Sequence, residues 1–345
     1  MKYKIIKIIF NNKVRFGIKS LEDTFAICHS DTLFSSIYIE MLNLCGQKIA
    51  DKIVAEFSDG KMKISSAFPF WHDTHKKEYR LYLPKPLIHV NADKKDEDKQ
   101  EKSLKKELKK INLINITDFK NYIQILKNDD TANLAKIKDD IYTTSMEAKV
   151  SLQSKDKEGK NELYSIDSVK YKDEIIAGRE GKAGLYFIVG YEENEVWNQI
   201  QKALTSLQYT GIGGKKSIGY GKFSIYGIDD METCADNAEK MLYTAIEKAN
   251  ESKYKMLISL LSPTSEEIND MDLENMYYSL IKRAGFIYSN TYAEKQVKKK
   301  EIYMFEEGSC FNQIYNGEIK DLKQEGMHSV YRNGISMCIG VDIDE

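Results

Sequence analysis

Between Thr210 and Ile225 the chain reads TGIGGKKSIGYGKFSI, with five glycines inside eleven residues and three lysines among them. Glycine at that density exposes backbone N–H groups and allows φ > 0, so the loop can wrap an anion closely. Val196, Ile200, Leu204 and Leu207 recur at helical spacing ahead of it, and KFSIYGI behind it reads as a strand. Helix, glycines, strand is the reverse of the order in dinucleotide and P-loop units, whose glycine spacing also fails here, which argues against a nucleotide-cofactor enzyme. A loop carrying Gly213, Gly214, Gly219 and Gly221, the cations Lys215, Lys216 and Lys222, the Ser217 hydroxyl and the Tyr220 ring suits a nucleic-acid backbone better. The plain alternative is a flexible turn between helix and strand.

At 345 residues the chain has room for two domains of ordinary size, and 42% hydrophobic residues with only four prolines imply folded cores. Its net charge of -2 excludes whole-molecule basicity, so a nucleic-acid surface must be a local patch. The five cysteines, Cys28, Cys45, Cys234, Cys310 and Cys338, lie far apart without a CxxC pair and indicate neither a disulfide frame nor a zinc site. The apolar run in MKYKIIKIIF is too short for a signal peptide or membrane span, so a cytoplasmic location is expected.

Along the chain, Tyr3 to Phe10 predicts a strand, with Arg15 to Ser20 as a possible neighbour. Leu33, Phe34, Ile37, Tyr38, Met41 and Leu42 form a helical face after Ser30 or Asp31 as N-cap, placing His29 and Ser30 at a helix N-terminus able to take phosphate. Against that, His29 also fits a partly buried residue ahead of a cap. Asp51 to Phe57 and Lys61 to Phe68 read as two strands around Ser58-Asp59-Gly60, and the HxxH pair His72 and His75 is a weak metal signal without a third ligand. Residues 91 to 110 are a charge-dense solvated tract, and Ile111 to Leu126 predicts a helix. Glu147 to Tyr171 alternates about a charged tip at Gly159 and predicts a long hairpin standing away from the body, followed by the strand GLYFIVGY. Residues 231 to 250 predict a linking helix. After them come the strand KYKMLISLLSP, a helix around Tyr277 to Ile281, strands through Phe286 and KEIYMFEEGSC, and a last strand ending in SMCIGVDI. Mixed elements with short connections give an α+β class in both halves.

Several segments carry a family pattern: SDTLFSSI from Ser30, AFPF with LPKPL, the glycine loop, LLSPTSEE from Leu260, YSLIKRAGFIYSN from Tyr278, YMFEEGS from Tyr303 and HSVYRNGI from His328. With these in order over nearly the whole chain, the sequence resembles the RAMP superfamily and, within it, subunit four of the Csm complex, the type III-A CRISPR effector. The resemblance implies two ferredoxin-like (RRM-like) domains, 1-230 and 231-345, with a projecting β-hairpin thumb at about 147-171 and the glycine-rich loop at 211-221. It implies a non-catalytic subunit of antiviral defence that caps the 5′ tag of the guide RNA and joins the large Palm-domain subunit to the backbone RAMP subunit filament, with no cofactor, metal or membrane. The RNA-binding residues it implies are the loop from Gly213 to Lys222, His29 and Ser30 beside it, Lys149 in the thumb, and His328, Tyr331 and Arg332 near the C-terminus.

Two other readings stay open. The chain could be a metal-independent RAMP endoribonuclease processing CRISPR repeat RNA, with His29 as general base on a 2′-hydroxyl and His328 in support. It could also be a protein-interaction module with little RNA contact of its own.

Overall fold

The computed structural model describes residues 1–17, 22–88, 110–128, 140–151, 162–173, 179–289, 292, 295, 297–324 and 328–342. The charged tract up to residue 109 with His89, the hairpin tip with Gly159, and Gly178 lie outside the described residues.

The main sheet is built on β1 (Lys2–Phe10), which alternates strictly. Ile6 and Ile8 face one core and Ile5 the other, so the strand is buried on both faces. β10 (Gly181–Tyr191) pairs antiparallel with it and divides in the same way, with Leu185, Phe187 and Val189 on one side and Tyr186 and Ile188 on the other. With β5 (Phe68–Asp73), β6 (Glu78–Pro84), β7 (Leu113–Asn115) and β11 (Phe223–Asp230) the strand order is β11-β1-β10-β5-β6-β7, and β4 (Met62–Ile64) also pairs with β10. One face is covered by three helices, α1 (Ser30–Cys45), α2 (Gln47–Ser58) and, after α3 (Phe119–Asn128), α4 (Asn194–Thr210), through Leu33, Phe34, Ile53, Phe57, Ile200 and Leu204. Each such fully buried side chain stabilises by about 1.5–3 kcal/mol.

The opposite face packs on α5 (Asn237–Glu247), β12 (Tyr254–Leu257) and β18 (Cys338–Val341), so Met256, Ile258 and Ile339 share a core with Ile5 and Phe68. β12 is the middle of a second, three-stranded sheet between β15 (Cys310–Phe311) and β18. Two short ladders complete this half, β13 (Leu280–Arg283) with β14 (Ile302–Phe305) and β16 (Ile319–Asp321) with β17 (Tyr331–Asn333). The class is α+β. Among the described residues no helix is long and apolar enough to cross a membrane.

Lys7 shows how a charge is accommodated in a two-faced sheet. Its side chain is fully buried on the second core, with its ammonium 2.6 Å from Asp229, 2.5 Å from Glu239 and 4.4 Å from the centre of the Tyr79 ring. A buried ammonium is tolerated when it is paired in this way.

Three expectations change. Asp51 to Phe57 is helical within α2, because Ala50, Ile53, Val54 and Phe57 recur at helical spacing and all face the core. The β-branched Ile53-Val54 pair mimics a strand locally. Tyr277 to Ile281 is extended: Tyr277 bridges Cys310, and Leu280–Arg283 pairs with Ile302–Phe305. The helix of this stretch, α6, is Ser265–Asp270, set by a capping box between Thr264 and Glu267. Ile111 to Leu126 divides into β7, a 3₁₀ turn at Ile116–Asp118 and α3.

The long hairpin is present as β8 (Tyr142–Ser151) paired with β9 (Glu162–Tyr171), beginning five residues before the expected start. Its base does not stand away from the body. Val169 bridges Val14, Ile166 and Val169 are buried, and the Tyr171 hydroxyl donates to the Ala26 carbonyl at 2.8 Å.

Candidate nucleic-acid interface

The glycine loop is positioned by its ends. α4 stops at Gly211, φ +77°, whose N–H donates to the Leu207 carbonyl, and the Ile212 N–H donates to the Gly221 carbonyl at 3.0 Å to close the loop on itself. The segment after β1 then anchors it: the Gly214 N–H donates to the Arg15 carbonyl at 2.8 Å and the Gly221 N–H to the Lys13 carbonyl at 3.0 Å. A Cβ on Gly213 would sit 2.5 Å from the Arg15 oxygen, and one on Gly221 would collide with the Ile212 carbonyl. These glycines allow close backbone packing, and two amides expected to cradle an anion are already satisfied.

What this packing builds is a cleft of about 280 Å³ between α1, the glycine loop and the β13–β14 region. Its cationic lining is Arg15, Lys216, Arg283, Lys299 and Arg332, against the two carboxylates Asp31 and Glu40. Both carboxylates are already engaged. Asp31 accepts from Arg283 Nε at 3.0 Å, Arg283 Nη2 at 2.8 Å and Arg332 Nη1 at 2.6 Å. Glu40 accepts from Ser206 at 2.5 Å and Thr210 at 3.0 Å, holding α1 to the end of α4. Two further cations, Lys216 and Lys299, line the cleft apart from that cluster. Burial, with Arg332 nearby, pushes the Lys299 ammonium down to about 8, and burial also lowers the Lys216 pKa. Phe286 and Tyr288 line the same cleft and are 52% and 71% exposed, with the Lys216 ammonium 4.9 Å from the Tyr288 ring centre.

His29 closes the inner wall at the N-terminus of α1. Its Nδ1 lies 2.9 and 3.1 Å from the two Glu307 oxygens, Ser66 also donates to Glu307, and the Phe25 ring meets the imidazole edge-on at 4.5 Å. Burial opposes ionisation of Glu307, but His29 and Ser66 hold its carboxyl below the ordinary range.

The cleft therefore brings together His29, Gly213, Gly214, Lys216 and Arg332 of the expected residues. Others lie elsewhere. Ser30 is fully buried and its hydroxyl accepts from the Leu260 N–H at 3.0 Å. Tyr220 is buried with its hydroxyl on Glu147 at 3.1 Å, so its ring offers no open stacking face. Glu147, held down to about 2, also takes Lys13 and Lys149, and Lys215 stands 5.3 Å over the Tyr164 ring of the hairpin. Ser217 and Lys222 are exposed, and Gly219 has nothing near its Cβ position. His328 is hydrogen-bonded to Ser289 at 2.8 Å, and Tyr331 packs edge-on against Tyr38 at 5.5 Å. His72 bonds the Tyr226 hydroxyl at 2.7 Å, and among the described residues no cluster of three His, Cys, Asp or Glu side chains could hold a metal ion.

Sequence reasoning missed Arg15, Arg283, Phe286, Tyr288, Lys299 and Glu307. Four of them lay inside quoted segments, Arg283, Phe286 and Tyr288 in YSLIKRAGFIYSN and Glu307 in YMFEEGS.

Comparison with known proteins places this arrangement. Residues 250–341 match the family model described as the CRISPR Csm4 C-terminal domain. The protein named CRISPR system Cms protein Csm4 from Streptococcus thermophilus is 25% identical over 329 residues, covering 94% of this chain and 93% of the relative. Its namesake from Methanocaldococcus jannaschii is 26% identical over 365 residues, covering 94% and 89%. Among solved structures, a Csm3-Csm4 subcomplex of the type III-A CRISPR-Cas interference complex superposes with a TM-score of 0.64 at 20% identity over 99% of this chain and 100% of that one. A Csm1-Csm4 cassette in complex with cA4 superposes at 0.59 and 19% identity over the full length of both. Residues 250–341 thus match a Csm4 C-terminal domain, and from end to end the chain is similar in sequence and fold to Csm4 subunits of type III CRISPR effectors.

Proposed function

We propose that the chain is an RNA-binding subunit that caps the 5′ tag of the guide RNA in a type III-A interference complex, and that it joins the large Palm-domain subunit to the filament of backbone subunits. The observation that carries this reading is the cleft, where Lys216 and Lys299 stand with two exposed aromatic rings. Phosphates need the first and unstacked bases the second. That Csm4 proteins have been solved both with Csm1 and with Csm3 suits a subunit lying between two kinds of neighbour. The order β11-β1-β10-β5, with α1 and α4 as crossovers, supports a ferredoxin-like domain over residues 1–230, the β8–β9 hairpin serving as its thumb and residues 231–345 as the second domain. A cytoplasmic guide RNA complex is the matching location.

The same reading makes the subunit non-catalytic. In-line RNA cleavage needs a base on the 2′-hydroxyl and an acid on the leaving oxygen. His328 is held by Ser289 and does not line the cleft. One observation favours the ribonuclease reading, the Nε2 of His29, which has no partner among the described residues. Filter binding of tag RNA against salt tests the main reading: Lys216→Ala with Lys299→Ala should weaken binding and reduce the slope of log K on log salt by about 1 per lysine. An unchanged slope removes the cleft from the function. Incubation with repeat RNA in EDTA separates the rival, since His29-dependent products would make the chain a nuclease.

A further inference from the structure

We infer that His29 recognises ribose, its Nε2 accepting a hydrogen bond from the 2′-hydroxyl of one bound nucleotide. The inference rests on the RNA-binding reading and assigns a chemical group within that site.

A carboxylate only accepts, so the Nδ1 facing both Glu307 oxygens carries a ring proton, and in the tautomer this selects for a neutral imidazole Nε2 is the lone-pair acceptor. The Phe25 edge and the Ser66-braced Glu307 fix the ring in that orientation. His29 is 1% exposed, and its Nε2 has no partner among the described residues. His29 lines the cleft and Glu307 does not, so the cleft is the side from which a partner for Nε2 can come. Arg332 lines the same cleft, its buried Nε is also without a partner among the described residues, and a guanidinium N–H only donates.

The inner wall thus asks for a donor at His29 and an acceptor at Arg332. A phosphate oxygen offers acceptors alone and would set its charge against the His29 lone pair. A hydroxyl offers both a donor and an acceptor. Leaving such atoms unsatisfied is costly, so a ligand that supplies both is selected over one that supplies neither. In a cleft whose outer cations take phosphates, the hydroxyl that comes with each phosphate is the ribose 2′-OH, the group that distinguishes RNA from DNA.

The test uses the full-length protein at pH 8 and tag RNAs carrying a single 2′-fluoro ribose at each position in turn, which removes the donor. One position should lose about five- to tenfold in affinity, the worth of one hydrogen bond. In His29→Phe that position should become indifferent to the substitution while the Lys216- and Lys299-dependent salt slope persists. Because His29→Phe strips Glu307 of a partner, the double variant His29→Phe with Glu307→Leu repeats the measurement with both polar groups removed together. Normal salt-dependent binding with no sensitive position overturns the inference. So does sensitivity that survives in the double variant, which would mean that another group reads that hydroxyl. If binding ignores Lys216 and Lys299 altogether, the cleft reading itself fails and this inference fails with it.

Discussion

Arg332 donates through Nη1 to the Asp31 carboxylate at 2.6 Å, latching the first turn of α1 to a strand 301 positions further along the chain. Arg283 reaches the same carboxylate from β13 at 2.8 and 3.0 Å, so one buried anion serves two cations brought from the other half of the chain. The latch sets the floor of the cleft, since all three residues line it.

Removing the anion should therefore cost more than removing either cation. Asp31→Ala leaves two buried guanidiniums facing each other and is expected to destabilise by about 3–5 kcal/mol. Arg332→Ala should cost less, because Arg283 still neutralises Asp31. Urea unfolding of the two variants side by side checks the order, and equal losses would mean that the latch is not a shared pair.

Acid should open the same latch. Burial works to raise the Asp31 carboxyl, but Arg283 and Arg332 outweigh it and hold it well below the usual range. A depressed carboxyl contributes stability that is fully present above the unfolded value of about 3.9 and is lost as pH falls through the folded one. Between pH 5 and pH 3, roughly the onset of that window, the wild-type urea midpoint should fall more steeply than that of Asp31→Ala. Parallel declines would assign the acid sensitivity to other carboxylates, Glu307 among them.

The glycine loop gives a contrast between two left-handed positions. Gly221, φ +75°, has its Cβ direction blocked by the Ile212 carbonyl, whereas Gly219, φ +89°, has nothing within 4 Å. Gly219→Ala should cost only the backbone strain, about 1 kcal/mol. Gly221→Ala adds a collision at the closure of the loop and should cost at least about 2 kcal/mol, with tag affinity falling alongside it. Thermal melts and filter binding on the pair measure both effects.

If the cleft takes RNA, Lys299 should make the affinity pH-dependent above neutrality. With its ammonium near 8 in the free protein, it loses its charge as pH rises through that value, and a bound phosphate would hold the proton on. Tag affinity should therefore drop between pH 7 and pH 9, and Lys299→Arg, whose charge persists, should flatten the profile. A wild-type profile already flat over that range would remove Lys299 from the phosphate contacts.

The sequence carried the fold further than the site, for a physical reason. Alternation in β1 and helical spacing in α1 and α4 are local, and they matched the elements seen. α2 was misread because Ile53 and Val54 satisfy both patterns over so short a span. The site depends on which distant segments meet. Nothing local in the run Lys298 to Lys300 singles out Lys299, and Glu307 becomes relevant only because its loop returns beneath α1 to meet His29. The glycine loop was located correctly, but what its glycines do was decided by the Arg15 and Lys13 carbonyls across from them.

The proposed RNA contact is tested most directly at the aromatic rim. Tyr288 is the more exposed of the two rings and already carries the Lys216 ammonium at 4.9 Å, so a base stacking there would meet a ring flanked by a cation. Stacking uses the ring face and not the hydroxyl. Tyr288→Phe should therefore bind tag RNA as the wild type does, and Tyr288→Ala should lose about 1–3 kcal/mol of affinity. Phe286→Ala should show a similar loss if a second base follows the first across the rim. Salt separates the two contributions, because removing a ring lowers affinity at every salt concentration without changing the slope, while removing Lys216 changes the slope. Tyr288→Ala that shifts the slope and leaves high-salt affinity intact would show the ring acting only to position Lys216, and the stacking role would be withdrawn.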